Sequence, residues 1–291
     1  MFQHSLATLR DGLLALTYPQ ACRLCRQSVD SWNDGVVCAA CWNDCSLTKL
    51  FGATENCHKC DAPLSPRQTF ATLATSSGES ESGAALLAQN FATANHASDA
   101  EAEADEIDQE RYCRRCDGLP FAFARACGAY GGALEANILF LKSQPHICRR
   151  LRDLLIHRFA AQQHILASDL LIPVPLHTAR RVERGFNQAE LLAKVIASHF
   201  KLRLENQLLI RAKNTERHRA GMDALDRLKS VEHAFHITNP RAIENASVLL
   251  IDDLFTTGST IAETTKTLLA AGAARVNVFT LAKVTDAFNR N

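Results

Sequence analysis

Long apolar runs are missing from this sequence. The longest fall far short of the roughly twenty residues that cross a bilayer, so no membrane insertion is expected. LLALTY near the start comes just after Arg10 and Asp11, and no small-residue cleavage site follows. That pattern fits a short amphipathic helix over 1–17 better than a signal peptide, and a cytoplasmic location is expected. Aromatic residues make up only 7% of the chain and are poorly interleaved with basic ones, which weakens a base-stacking platform as the sequence reads. The Gly-Lys-Ser/Thr ending of a nucleotide-triphosphate loop is absent. So is the H-x-E with P-C-x-x-C pattern of the zinc deaminases. No internal repeat appears beyond two cysteine quartets.

Cysteine is what the sequence has in excess. Eight of the eleven form four C-x-x-C pairs: Cys22/Cys25, Cys38/Cys41, Cys57/Cys60 and Cys113/Cys116. Without a secretory signal, this spacing favours zinc over disulfides, since each pair sets two thiolates on one tight turn. One or two structural Zn²⁺ ions are expected. The spacing leaves sequential and interleaved ligand pairing open, and Cys45 is either a spare or a substitute ligand. A thioredoxin-like role is weak because no strand precedes the pairs. Cys127 and Cys148 have no partner spacing and read as buried apolar residues.

The 291 residues, 47% hydrophobic and 22% charged, suit a globular protein of one or two domains. The formal net charge of +1 conceals an asymmetry: residues 1–127 carry 10 basic and 16 acidic side chains, and 128–291 carry 22 and 15. A basic C-terminal half suits a polyanionic ligand. Residues 61–112, rich in Ala, Ser, Thr and acids, have too little apolar surface to offset their ordering entropy. They read as a disordered insertion within a cysteine-rich module spanning 18–127. Closing so long a loop between cysteine pairs costs little extra entropy.

From about residue 128 the pattern alternates between helix and strand. GGALEANILFLK, HICRRLRDLLIHRFAAQQ and NQAELLAKVIASHF read as helices, the last with Leu191, Leu192, Val195 and Ile196 on one face. DLLIPVP (169–175) and VLLI (248–251) read as buried strands. TIAETTKTLLAAG reads as a helix closed by Gly272, and ARVNVFTLAKV as a final alternating strand. Together they predict an α/β domain over 128–291 with a parallel sheet covered on both faces.

The stretch VLLIDDLFTTGST carries the most chemistry. A central strand would deliver Asp252 and Asp253 to its carboxyl end, where open α/β sheets bind ligands. Thr256, Thr257, Gly258, Ser259 and Thr260 would form the strand-to-helix turn, whose N–H groups converge on an anion. Two carboxylates beside a phosphate cradle suit a sugar phosphate, the acids accepting hydrogen bonds from its hydroxyls. The competing reading is that acids and hydroxyls only cap the helix.

This stretch resembles the phosphoribosyl-diphosphate signature of the type I phosphoribosyltransferases. With PVPL (173–176), RGFNQ (184–188) and AF (234–235), residues 128–291 resemble the ComF (competence protein F) family, and the quartets resemble that family's double zinc ribbon. The resemblance implies a phosphoribosyltransferase-type domain in which Asp252 and Asp253 hold the ribose hydroxyls and residues 256–260 the 5-phosphate. A loop carrying Arg180, Arg181 and Arg184 would approach the pyrophosphate, to which arginine forks are suited. Mg²⁺ would accompany phosphoribosyl diphosphate. Residues 211–230 resemble a mobile hood loop, but His218 and Ser230 depart from the glutamine and asparagine expected there. Lys142 resembles a family lysine, and the plain reading of Asn187 and Gln188 is that they open the next helix. The implied role is in natural transformation, handling internalised DNA. The alternative is a non-catalytic module that binds single-stranded DNA or a DNA-processing protein. No general base stands out, so the acceptor and any catalytic residue stay unassigned.

Overall fold

The computed structural model describes residues 20–29, 31–43, 56–64, 112–114, 116, 118–162, 167–212 and 234–285. The expected helix over 1–17, Cys45, most of the insertion and the hood stretch with His218 and Ser230 lie outside the described residues.

Four parallel strands form the central sheet: β1 (Ala124–Ala126), β2 (Leu170–Pro173), β5 (Ser247–Phe255) and β6 (Arg275–Lys283), in the order β1-β6-β5-β2. Helices α2 (Gly132–Leu141), α3 (Arg149–Ala160) and α5 (Gln188–Phe200) match the predicted segments, as does α6 (Ser259–Ala270). Gly272 follows α6 at φ +102°, with Ala273 N–H returning to Leu268 O, so it closes the helix as expected. In α5, Leu192 and Ile196 are fully buried while Leu191 and Val195 pack at the edge of the same core. The small α1 (Ala39–Asn43) lies in the first cysteine module, and α4 (Thr178–Arg184) follows β2.

The sheet departs from its sequence reading in four places. β5 does not stop at Ile251 but runs through both aspartates to Phe255, because β6 continues to pair with it as far as Lys283. β6 does not alternate: it lies between two strands and is buried on both faces. The three-residue β1, which precedes residue 128, pairs with β6 at the edge of the sheet. A separate antiparallel ribbon of β3 (Leu209–Arg211) and β4 (Phe235–Ile237) was not anticipated; it brackets the hood stretch.

Side-chain alternation along the strands builds two cores. Leu171, Leu249 and Ile251 face one core with α2, α3 and α5, which also takes Cys22, Cys38, Val37 and Trp42 of the first cysteine module. Leu170, Ile172, Val248 and Leu250 face the other, which holds Cys57, Cys60, Cys113 and Cys116 with Phe121, Phe255 and α6 residues. The two cysteine modules therefore pack on opposite faces of one sheet. The first is fixed by Asp34, a buried acid that accepts from Arg149 and Arg150 at 2.9 and 3.1 Å. Beside it Gly35 has φ +88°, and a Cβ there would stand 2.7 Å from Cys148. Cys127 and Cys148 are buried as expected.

Candidate functional site

The site grows from a mismatch in strand length. β2 ends at Pro173, paired opposite Ile251, and Val174 N–H makes the last bond to Ile251 O. Beyond that point no described strand pairs with that edge of β5, and Asp252 and Asp253 are the next two residues. Their side chains interact directly, each carboxyl acting on the other. Asp252 Oδ1 accepts from Asp253 N–H at 2.8 Å. Burial, and then the Asp253 carboxylate, push Asp252 well above the ordinary carboxylate range. Burial also raises Asp253, but Lys142 and Arg184 act against that rise.

The turn after β5 leads directly into the start of α6. Gly258 sits at φ +82° as the residue before α6, and no side chain caps that helix. Thr257 Oγ1 and Ser259 Oγ lie 2.9 Å apart, and the Ser259 N–H reaches Thr257 Oγ1 only at 3.5 Å. The hydroxyls therefore cap the helix only weakly. Asp252, Leu254, Thr256, Thr257, Gly258, Ser259, Thr260 and Ile261 line an open cleft. One continuous surface thus joins Asp252 to residues 256–260.

The arginines expected on a loop lie instead on α4, where the i, i+4 spacing puts Arg180 and Arg184 on one face. Arg184 acts on Asp253, and Arg180 lies in the field of Arg211. Arg181 turns away to pair with Glu190 at 3.0 Å. Gly185, left-handed at φ +77°, ends α4, and Asn187 opens α5 by accepting from Ala189 N–H and donating to Val174 O. RGFNQ is thus a helix stop and a helix start that tie the arginines to the end of β2. Arg211 was not singled out by the sequence. It closes β3, where burial and then Arg180 lower its pKa while Asp252 acts to raise it. Its one signal was a cation at the end of the short apolar run LLIR. Tyr130, which feels Glu135 and Asp253, was missed for want of any motif.

The thiols form two tetrads, Cys22/Cys25/Cys38/Cys41 and Cys57/Cys60/Cys113/Cys116, each with its Sγ atoms within 4.8 Å of one another. The pairing is therefore sequential. Contacts of 3.4 to 3.6 Å, such as Cys57–Cys116 and Cys25–Cys38, are far longer than a disulfide. They approach the ~3.8 Å edge of a tetrahedron with Zn–S bonds of about 2.3 Å. Each tetrad can hold a zinc ion. Burial raises the Cys22 thiol, but amide hydrogen bonds from Cys25, Cys38 and Leu24 bring it down to about 6. Contacts with Cys113 and Cys116 hold Cys57 down to about 6 as well. The second tetrad is fully buried, whereas Cys25 of the first is exposed.

These features define a class: a parallel α/β domain with an acid pair running into an uncapped helix start, joined to two zinc-competent cysteine tetrads. No known family profile matches the chain. The chain is homologous to "Competence protein F" of Haemophilus influenzae, with 34% identity over 116 residues, 40% of this chain and 50% of that protein. It is likewise homologous to "Competence protein ComFC" of Bacillus subtilis, with 37% identity over 38% of this chain and 43% of that one. "DNA utilization protein YhgH" of Salmonella typhi is 34% identical over 40% of this chain and 49% of its own. The chain spans about half the length of the curated relatives it matches. Among solved structures, a purine phosphoribosyltransferase from Pyrococcus horikoshii is 13% identical over 47% of this chain and 85% of its own, with a TM-score of 0.29. A hypoxanthine phosphoribosyltransferase from Staphylococcus aureus is also 13% identical, over 46% and 62%, with a TM-score of 0.31. Among the described residues no helix is long and apolar enough to cross a membrane.

Proposed function

We propose that the α/β domain binds phosphoribosyl diphosphate and transfers its phosphoribosyl group, and that it does so in the handling of internalised DNA. The observation that carries this reading is the run from the acid pair of β5 into the uncapped start of α6. Asp252 and Asp253 accept hydrogen bonds from the ribose hydroxyls. The amides and hydroxyls of residues 256–260 take the 5-phosphate. Arg180 and Arg184, on one face of α4, receive the pyrophosphate, with Arg211 beside them and Arg181 available on release from Glu190. Lys142, whose charge acts on Asp253, limits repulsion between the acids and the ligand.

Mg²⁺ suits this donor set, because crowded carboxylates with raised pKa values gain from a cation. When bound with the ligand it supplies charge neutralisation on the leaving pyrophosphate. The chain's own work is to orient the ring and stabilise leaving-group charge while a nucleophile displaces pyrophosphate at the anomeric carbon. The competence and DNA-utilization names of the relatives support the biological setting. The test is a product screen with radiolabelled phosphoribosyl diphosphate and Mg²⁺. Label transfer with pyrophosphate release, lost in Asp252→Ala plus Asp253→Ala, is expected; binding without turnover would reduce the domain to a sensor.

A second reading, single-stranded DNA binding, is favoured by one specific cluster. His58 and Tyr112 stack at 6.4 Å with planes 9° apart, and Phe123 lies 5.8 Å from His58. The guanidinium groups of Arg275 and Arg125 stand 4.9 and 5.4 Å over Phe123. Tyr112 is 48% exposed. Such a cation–aromatic surface accepts bases as stacking partners. It lies at the start of β6, opposite Ser247, roughly 16 Å along the strands from the acid pair. Tyr112→Ala should weaken oligonucleotide binding measured by anisotropy and leave phosphoribosyl diphosphate binding intact. Affinity indifferent to salt would count against it, because phosphate contacts release counterions.

A further inference from the structure

We propose that Leu119 and Phe255 are positioning residues through which the second cysteine tetrad shapes the turn at 256–260; this rests on reading that turn as the phosphate site. Leu119 belongs to the cysteine knuckle. Its N–H donates to Cys116 O at 3.2 Å, and Lys59, between Cys57 and Cys60, donates from Nζ to Leu119 O at 2.6 Å. The same Leu119 meets the turn. A Cβ added to Gly258 would lie 3.2 Å from Leu119 Cδ1 and 3.0 Å from Phe255 Cζ. Gly258 is thus clamped between a knuckle residue and the last residue of β5, with its backbone held at φ +82°.

Phe255 is tied to the same tetrad. Its ring meets Phe121 edge-to-face at 6.0 Å, and Lys283 Nζ stands 4.9 Å from its centroid. Lys283, only 3% exposed, donates from Nζ to Cys60 O at 2.8 Å. Val284 N–H bonds Phe255 O at 2.9 Å. Both walls of Gly258 therefore lead back to the knuckles within one or two contacts. The first tetrad, among the described residues, packs on the opposite core against α2 and α3. An anion cradle works only while its N–H groups converge, so the walls that fix Gly258 set its affinity.

The test compares Leu119→Ala and the milder Leu119→Val with wild type in the full chain, alongside Val37→Ala as a control on the first tetrad. Three quantities are read: zinc content, amide exchange over 255–262, and binding of phosphoribosyl diphosphate with Mg²⁺ by calorimetry. Leu119→Ala should speed exchange in that segment and weaken binding ten-fold or more with zinc content unchanged. Leu119→Val should fall between, and Leu119→Met, which refills the space, should restore both. Val37→Ala should move neither. Wild-type exchange and affinity in Leu119→Ala would overturn the proposal. If wild type itself binds no phosphoribosyl diphosphate, the ligand reading fails alone, and the exchange comparison still decides the coupling.

Discussion

Asp252 and Asp253 are adjacent acids in one strand, and their raised pKa values have a consequence for stability. Folded carboxyls with raised pKa hold protons that the unfolded chain, titrating near about 3.9, has released. Their contribution therefore falls as pH rises from that value through the folded one. Asp252→Asn removes this loss. At pH 7.5 it should gain on the order of 1 kcal/mol in urea unfolding while losing ligand binding, and the gain should shrink toward pH 4. An equal or larger gain at pH 4 would contradict the assigned cause. At this scale the acids, hydroxyls and cysteines were legible because each sits in a short motif whose chemistry depends on spacing. Arg211 and Tyr130 were not, since only the fold brings them toward the acids. The cluster of His58, Tyr112, Phe123 and Arg275 was not read because only the fold brings His58 and Arg275 to the 112–123 stretch.

Among the elements, the strand-to-helix turn leaves no room for a side chain at Gly258. Gly258→Ala combines a left-handed backbone with contacts of 3.0 and 3.2 Å, and should cost about 1–3 kcal/mol by urea unfolding. The long helices and the buried runs at 170–173 and 248–251 were readable from periodicity, which follows directly from helical and strand geometry. β1 was not, because three residues give no period and it is a strand only through β6. β5 read short because aspartate is a poor strand former, yet β6 supplies hydrogen-bond partners past it. The tetrads differ in exposure, so a chelator added to the zinc-loaded chain should remove metal in two phases. Cys25→Ser should abolish the faster phase, and Cys60→Ser the slower.

Among the described residues, the central sheet is clasped by two cysteine modules, each sharing a core with the face it covers. The sequence placed those modules before the α/β domain; only the fold puts them on opposite sides of it. Asp34 joins the first module to α3. Because Arg149 is 59% exposed and keeps its hydration when unpaired, Asp34→Ala should cost only about 1–2 kcal/mol. That loss should appear in thermal unfolding without a change in ligand affinity. The central claim is that the acid pair and the turn form one ribose 5-phosphate site. Calorimetry of the full chain with phosphoribosyl diphosphate and Mg²⁺ tests it most directly. Saturable one-site binding by wild type, lost in Asp252→Ala plus Asp253→Ala, is the predicted result. Failure of the wild type to bind, or undiminished binding by the double variant, would contradict it.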